Sequence, residues 1–447
     1  MSQVAAVEDS DPIGSTADPE RTARRRGSAY RTVWRWHLYA GLLTAPVLLT
    51  AAVTGGIYVF IDELKPILYP HLFCSKSPAP ASSASLQSFV VAARREHPQA
   101  VVASVVEPRS PGLNAEVTLK IGDRHLSTFV DPADGRVTEI YDEHDSFFGI
   151  VLAIHRRLFA GSVGRMLVEL AASWGVILLI TGTYLWWPRA VSRTQSPGAG
   201  VWFPRLRMSF NVALRDLHAV LGVYSLGTAA FILVTGLFFT QLFGPGYNWL
   251  SKNLGGVPET VARPPQSKVV EGRPRLTADE AVRLADPQLP GYGPCRVQLP
   301  EKPTDPYRVT RADWSNPTWK STVLLDAYTG EFLGMSGWAE AGGWQMVRMS
   351  VYPIHVGSIF GLTTKVLALL TCVALFIMCI TGAWMWWRKR PRGTWGIPSR
   401  STDERVPGAW IALIVALGVL LPAMGASLVI VLVGDGLYRR FAFQFSA

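Results

Sequence analysis

The sequence predicts an all-α transmembrane bundle with internal duplication, about five spans in all, plus two small α+β domains outside the bilayer. Three observations predict it. Apolar stretches are long enough to cross hydrocarbon, basic residues gather in alternate loops, and the two halves repeat one spacing of His, Thr-Gly and Trp-Trp.

Of the 447 residues, 49% are hydrophobic and 16 are Trp. A helix rises about 1.5 Å per residue, so about 20 apolar residues cross a bilayer core. Five stretches meet that length: 36–61, 166–187, 217–243, 365–387 and 408–433. Trp186-Trp187 and Trp386-Trp387 close two of them, as suits aromatic rings at headgroup level.

The net charge of +10 is localised. Residues 1–36 hold six Arg against five acids, 188–216 five Arg against one, and 388–407 six Arg/Lys against two. These segments alternate with the spans, and the positive-inside rule places them in the cytoplasm. Their partner is then the lipid bilayer and its headgroups, not nucleic acid.

The expected organisation follows from that topology. Residues 1–29 are a polar, disordered cytoplasmic N-terminus, and 30–62 hold the first span. Residues 63–148 form the first extracytoplasmic domain, and 149–187 an outer histidine segment with the second span. Residues 188–216 are a basic cytoplasmic loop and 217–243 the third span. The second extracytoplasmic domain covers 244–348, and 349–387 hold the second outer histidine segment with the fourth span. A further basic loop, 388–407, leads to the fifth span and tail, 408–447. The first apolar stretch is too long for a signal peptide and stays as an anchor. Arg439 and Arg440, beyond the fifth span, fall on the outside against the charge rule, so that span is re-entrant or its short tail is tolerated.

Cysteine adds little. Cys74 and Cys295 both face the oxidising side, which permits a disulfide without implying one. Cys372 and Cys379 share one face of the fourth span, where small apolar packing is the expected role.

The repeat carries more. His37 and His218 each precede a Thr-Gly pair by 17 residues, Thr54-Gly55 and Thr235-Gly236. His155 and His355 each precede one by 26, Thr181-Gly182 and Thr381-Gly382. Gly follows four residues after the first two histidines, at Gly41 and Gly222, one helical turn along the same face. After the other two, Gly161 and Gly361 follow at six residues, and Arg165 and Lys365 at ten.

The extracytoplasmic segments echo each other too. Residues 85–96 and 277–284 read as short amphipathic helices, the second opening with a capping box from Thr277 to Glu280. Alternating strand-like runs follow at 101–107, 114–121 and 126–130, and again at 307–311 and 320–325. Each segment then turns through Asp and Gly four apart, Asp131 to Gly135 and Asp326 to Gly330.

With Trp36-His37 opening a helix, Thr-Gly in each of four spans and the Asp-x-x-x-Gly turns, the chain resembles the PepSY-associated transmembrane family over about residues 30–390. Its duplicated four-histidine form is similar to the di-haem inner-membrane ferric-siderophore reductases. That resemblance implies two haem b groups in a bacterial inner membrane and PepSY-like domains in the periplasm. It also implies reduction of ferric-siderophore iron there, with release as Fe(II).

The histidines themselves point to metal. An ionisable side chain inside a bilayer is expensive, and four in register ask for a partner that stabilises neutral imidazole. Haem iron suits an apolar setting without thiolate. His37 and His218 enter from the cytoplasmic side, His155 and His355 from the opposite side. Depth therefore pairs His37 with His218 and His155 with His355 as axial ligands, and excludes a cross-pair such as His155 with His218. Arg35 and Arg215 flank the inner pair; Arg156, Arg157, Arg165 and Lys365 flank the outer one. These bases suit haem propionates, though bases at span ends also hold headgroups. His71, His97, His125 and His144 have no counterpart in the other half and are expected to be solvated, His144 lying nearest the outer site.

The Thr-Gly pairs are expected to allow close helix packing and to leave room for a flat ring, with no chemistry assigned to Thr. Glu169 has no acidic equivalent at Leu369, and a surface-reaching or hydrogen-bonded role is favoured over proton or quinol chemistry. Trp314, Trp319, Trp338 and Trp344 could cradle an acceptor, with core packing the expected role for most.

The sequence has no Gly-rich dinucleotide fingerprint and no phosphate loop. Electrons would then come from a quinol pool or a cytoplasmic reductase, and without Cys-x-x-Cys-His any haem is held non-covalently. The competing expectation is a non-enzymatic PepSY-type binding or regulatory protein without haem. A siderophore permease ranks last, because the spans carry few polar residues.

Overall fold

The computed structural model describes residues 19–76, 85–191, 198–254, 265–313, 315–391, 393 and 408–444. Residues 1–18 of the expected tail, most of the 388–407 loop and Trp314 lie outside the described residues.

In chain order, α1 (Pro19–Tyr58) leads through α2 (Ile61–Leu68) and α3 (Pro70–Phe73) to α4 (Leu86–Glu96). Strands β1 (Val101–Val106), β2 (Ala115–Ile121) and β3 (Arg124–Val130) follow, then α5 (Phe147–Arg157) and α6 (Gly161–Val191). The second half runs α7 (Phe210–Tyr224), α8 (Leu226–Leu237), α9 (Phe243–Leu254) and α10 (Ala278–Ala285). It continues with β4 (Cys295–Gln298), β5 (Tyr307–Arg311), β6 (Ser321–Leu325) and β7 (Phe332–Gly337). Helices α11 (Gly343–His355) and α12 (Leu362–Lys389) complete it, followed by α13 (Gly408–Leu420) and α14 (Pro422–Gln444).

Among the described residues, three helices are long and apolar enough to cross a membrane: Ala29–Tyr58 of α1, Gly161–Trp187 of α6, and α12. Helices α7 and α8 make a fourth candidate together, bent by 67°. The bend falls at Ser225, whose hydroxyl donates back to Leu221 O at 2.7 Å and so competes with the helix ladder.

The expected fifth span, 408–433, is not one helix. A Cβ on Gly418 would lie 3.4 Å from Gly425 Cα, whereas a straight helix separates residues seven apart by about 10 Å. The chain therefore doubles back at Leu421. Pro422 cannot continue the α13 hydrogen-bond ladder, and two glycines let the backbones touch. The hairpin tip is buried: Leu421 and Met424 pack with Ala172, Leu233 and Leu237. Trp174 Nε1 donates to Ser427 Oγ at 3.2 Å. Helix α14 thus runs back toward the side where α13 begins, the re-entrant form of this segment.

The strands also depart from expectation. The two segments read as separate α+β domains build one antiparallel sheet, ordered β3-β2-β1-β4-β5-β6-β7. The halves meet where β1 pairs with β4, Val105 opposite Val297. One core lies under the sheet, joining Phe89 and Val90 of α4 to Ala281 and Ala285 of α10 through Val105, Val117, Val297 and Val309. Strands β4 and β7 were not legible, the first because it is four residues long and the second because Gly334 and Gly337 interrupt its pattern. The capping box is present at Thr277 and Glu280.

Both Asp-Gly turns form. Gly135 and Gly330 take φ of 72° and 75°, and each donates its N–H to the carbonyl of the Asp four residues earlier. All four cysteines are free thiols.

Candidate functional site

Two short helices carry the outer histidines to the membrane helices. Helix α5 is capped by Ser146, whose Oγ accepts from Gly149 N at 3.1 Å, and packs on α1 and α6. It ends just past His155, where Leu158 and Phe159 adopt left-handed φ of 48° and 55°. Helix α11 packs on α8 and ends at His355, with the turn made by Gly357 at φ 71°. His37 lies in α1 and His218 in α7.

The structure brings these residues together as two pairs. The rings of His37 and His218 are 6.3 Å apart between centres, with planes at 85°. Those of His155 and His355 are 6.1 Å apart, at 58°. The second pair lies on the sheet side of the bundle and the first on the far side. Thr54, which touches His155, follows His37 by 17 residues on α1, which is about 25 Å of helix rise.

Every imidazole is held by a Thr-Gly pair. His37 Nδ1 lies 2.9 Å from Thr181 Oγ1, and His155 Nδ1 lies 3.1 Å from Thr54 Oγ1. His218 Nδ1 lies 3.1 Å from Thr381 Oγ1, and His355 Nδ1 lies 3.2 Å from Thr235 Oγ1. A Cβ added at the adjoining Gly182, Gly55, Gly382 or Gly236 would stand 3.2, 3.1, 3.3 or 3.1 Å from the Cε1 of the same ring. The glycines therefore make room for imidazole itself. Sequence reasoning saw the motif and missed this role, because the partner lies on another helix.

These contacts settle the tautomer. Nδ1 of His155, His218 and His355 also approaches a backbone carbonyl, of Ala51, Met378 and Ile232, at 3.1, 3.1 and 3.0 Å. A carbonyl only accepts, so Nδ1 of these three rings carries a proton, and in the neutral ring Nε2 then keeps the lone pair. Neutral imidazoles with an Nε2 lone pair are the form that binds metal.

The spacing fits one metal between each pair. Two imidazoles on opposite sides of one ion, each bonded at about 2 Å through a nitrogen about 1 Å from its ring centre, have centres about 6 Å apart. Among the described residues no group of three or more His, Cys, Asp or Glu converges as a metal site. Haem brings four ring nitrogens of its own, so two facing imidazoles would suffice to hold it. The donor set fits haem.

The flanking bases are placed less uniformly than expected. Arg215 pairs with buried Asp216 at 3.0 Å, and Arg205 reaches the same carboxylate at 2.6 Å. Lys365 is buried against Glu63 at 2.8 Å. Arg165 donates to Phe239 O and Thr240 O at 3.1 and 3.3 Å. These side chains have partners within the protein. Arg35 is half-buried, while Arg156 and Arg157 are exposed near the sheet-side pair. Arg348, not singled out from sequence, lies over the Phe239 ring at 5.7 Å, and that ring is 5.4 Å from His355.

Glu169 is buried, and its carboxylate accepts from Leu242 N at 2.7 Å and Phe243 N at 3.0 Å. That caps the start of α9. Trp319 packs on Tyr292, and Trp344 on Tyr247, whose hydroxyl donates to Trp344 O at 2.7 Å. Of the unpaired-by-repeat histidines, His144 and His71 lie beside Asp142 and Glu139 on the exposed surface.

A family model described as the PepSY-associated TM region matches residues 34–389. No curated protein matches the chain. The match spans both halves and all four histidines, and the chain belongs to the PepSY-associated transmembrane family.

Proposed function

We propose that this family member is a di-haem oxidoreductase of the bacterial inner membrane that passes electrons outward to reduce the iron of a periplasmic ferric siderophore. The observation that carries the reading is the pair of facing imidazole couples, each at the separation that two axial ligands of one iron require. His37 and His218 would hold one haem b near the cytoplasm, and His155 and His355 the other near the periplasm. When bound, haem supplies reversible one-electron chemistry. The two histidine pairs would hold such groups at two depths.

With a histidine from each half holding it, such a group would be suited to electron transfer rather than to oxygen binding. The donor would be a quinol, or a cytoplasmic reductase docking on the basic loops, and the single sheet would face the acceptor. Hard oxygen ligands grip Fe(III), and reduction weakens that grip, so one electron suffices to release the metal. Arg348 and Arg156 stand where they could meet a carboxylate near the outer pair.

The test is a reduced-minus-oxidised absorption spectrum of the purified protein, with a pyridine assay to count haem per chain. About two non-covalent b-type haems are expected. A protein that stays colourless after haem supplementation overturns the reading and returns the function to a binding or regulatory role for the sheet.

A further inference from the structure

Each Thr-Gly threonine spends its own proton one turn back along its helix. Thr54 Oγ1 donates to Thr50 O at 2.7 Å, Thr181 to Ile177 O at 2.8 Å, Thr235 to Phe231 O at 2.5 Å and Thr381 to Ile377 O at 2.8 Å. A hydroxyl has one proton and two lone pairs. Oγ1 can therefore only accept from the neighbouring histidine, and an imidazole with its proton on Nε2 would lose that bond.

The wiring is reciprocal within each half. Helix α1 bears His37 and holds His155 through Thr54, while α6 holds His37 through Thr181. The second half repeats this with Thr235 on His355 and Thr381 on His218. Each half thus sets two imidazoles, and each centre takes one from each half.

We propose that Thr54, Thr181, Thr235 and Thr381 are positioning residues that lock the four imidazoles as Nδ1–H tautomers and set the electron density delivered at Nε2. This rests on the haem reading above. Donation from Nδ1–H to an acceptor raises ligand basicity, which favours ferric over ferrous iron. The four positions are not equal. His155, His218 and His355 also have a carbonyl acceptor, whereas among the described residues Thr181 Oγ1 is the acceptor of His37. Thr181 should matter most.

The test is a redox titration, with haem content, of the full-length wild type and its T181V, T181S and T54V variants. T181V keeps the shape and removes the acceptor. It should raise the potential of one haem, about 59 mV for each tenfold change in one-electron preference, and leave the other unmoved. T181S should restore the wild-type value. T54V should shift the other haem by less, because Ala51 O remains. T181V losing one haem while T181S keeps two also supports the assignment. Wild-type potentials in T181V, or equal loss in T181V and T181S, overturns it in favour of packing alone. A wild type without haem sinks the parent reading and this one together, whereas two haems with an unmoved T181V sinks only this one.

Discussion

In the first half Thr54 and Thr181 stand 3.1 and 2.9 Å from their histidines; in the second, Thr235 and Thr381 stand 3.2 and 3.1 Å from theirs. Around that unit the halves diverge. Helix α1 runs unbroken through Pro46, while α7 and α8 bend by 67°. The hairpin tip packs against Leu233 and Leu237 of bent α8. At the position of Arg35 the second half has Asp216, buried between Arg205 and Arg215. Arg165 and Glu169 bond backbone at the α8–α9 junction, but at the repeated positions stand Lys365, which pairs with Glu63, and Leu369. The halves share the geometry of the facing imidazoles and differ in the charges around it. A repeated base is therefore weaker evidence of cofactor binding than a repeated His–Thr–Gly contact.

The largest test of that equivalence is removal of the ligands. H37A and H355A should each reduce haem from two per chain to one, by pyridine assay. The H37A/H218A double variant should match either single, because both residues would serve one centre, and H37A/H355A should retain none. Loss of both haems from a single substitution would mean that the centres fold together and are not independent.

The next effects lie where the halves differ. D216A removes a buried carboxylate held by two guanidinium groups and should lower stability by about 3 kcal/mol, the low end for a buried pair because both arginines reach solvent. E169A leaves two N–H groups at the start of α9 without their acceptor and should cost about 2 kcal/mol. K365A breaks a pair whose Glu63 is half exposed and should cost about 1 kcal/mol or less. Thermal unfolding in one detergent, compared across the three, gives the order. K365A as damaging as D216A would show that the half-exposed pair of the second half contributes as much as its buried one.

How far the sequence could reach follows the same division. Spacing along one chain exposed the four histidines and their pairing by depth, because a helix converts residue number into height. It could not assign Thr181 to His37, a contact between helices 144 residues apart. Nor could it fuse the sheet, since the edges of β1 and β4 carry nothing that names a partner strand. For the fifth stretch the charge rule left a re-entrant span or a tolerated tail open, because hydropathy ignores direction; the packing of Gly418 on Gly425 beside Pro422 selects the re-entrant form. Arg215 and Lys365 drew attention as propionate anchors, but the carboxylates that occupy them, Asp216 and Glu63, are met only in three dimensions for Lys365 and by chain neighbourhood for Arg215.

The last pair of variants tests the halves within the sheet, at the two Asp-Gly turns. Asp131 accepts from Ser75 Oγ at 2.6 Å, Ala133 N at 2.9 Å and Lys76 N at 3.0 Å. Asp326 accepts from Lys268 N at 2.7 Å and from Tyr328 N and Thr329 N at 2.9 Å. Burial pushes both carboxyls up, but the hydrogen bonds outweigh it and hold each below the ordinary carboxylate range. A depressed folded value means the unfolded chain binds more protons as the pH drops. The stability each Asp adds is therefore complete above the unfolded value of about 4 and is lost as pH falls through the folded one. D131N and D326N should each cost about 1–2 kcal/mol at neutral pH and flatten the acid side of the stability curve, read by hydrogen exchange in β2 and β6. Because β1 and β4 join the halves into one sheet, the two variants should cost alike. A D131N effect confined to β2 and β3 would mean that the halves of the sheet open separately, and that the duplication survives in its energetics as well as its shape.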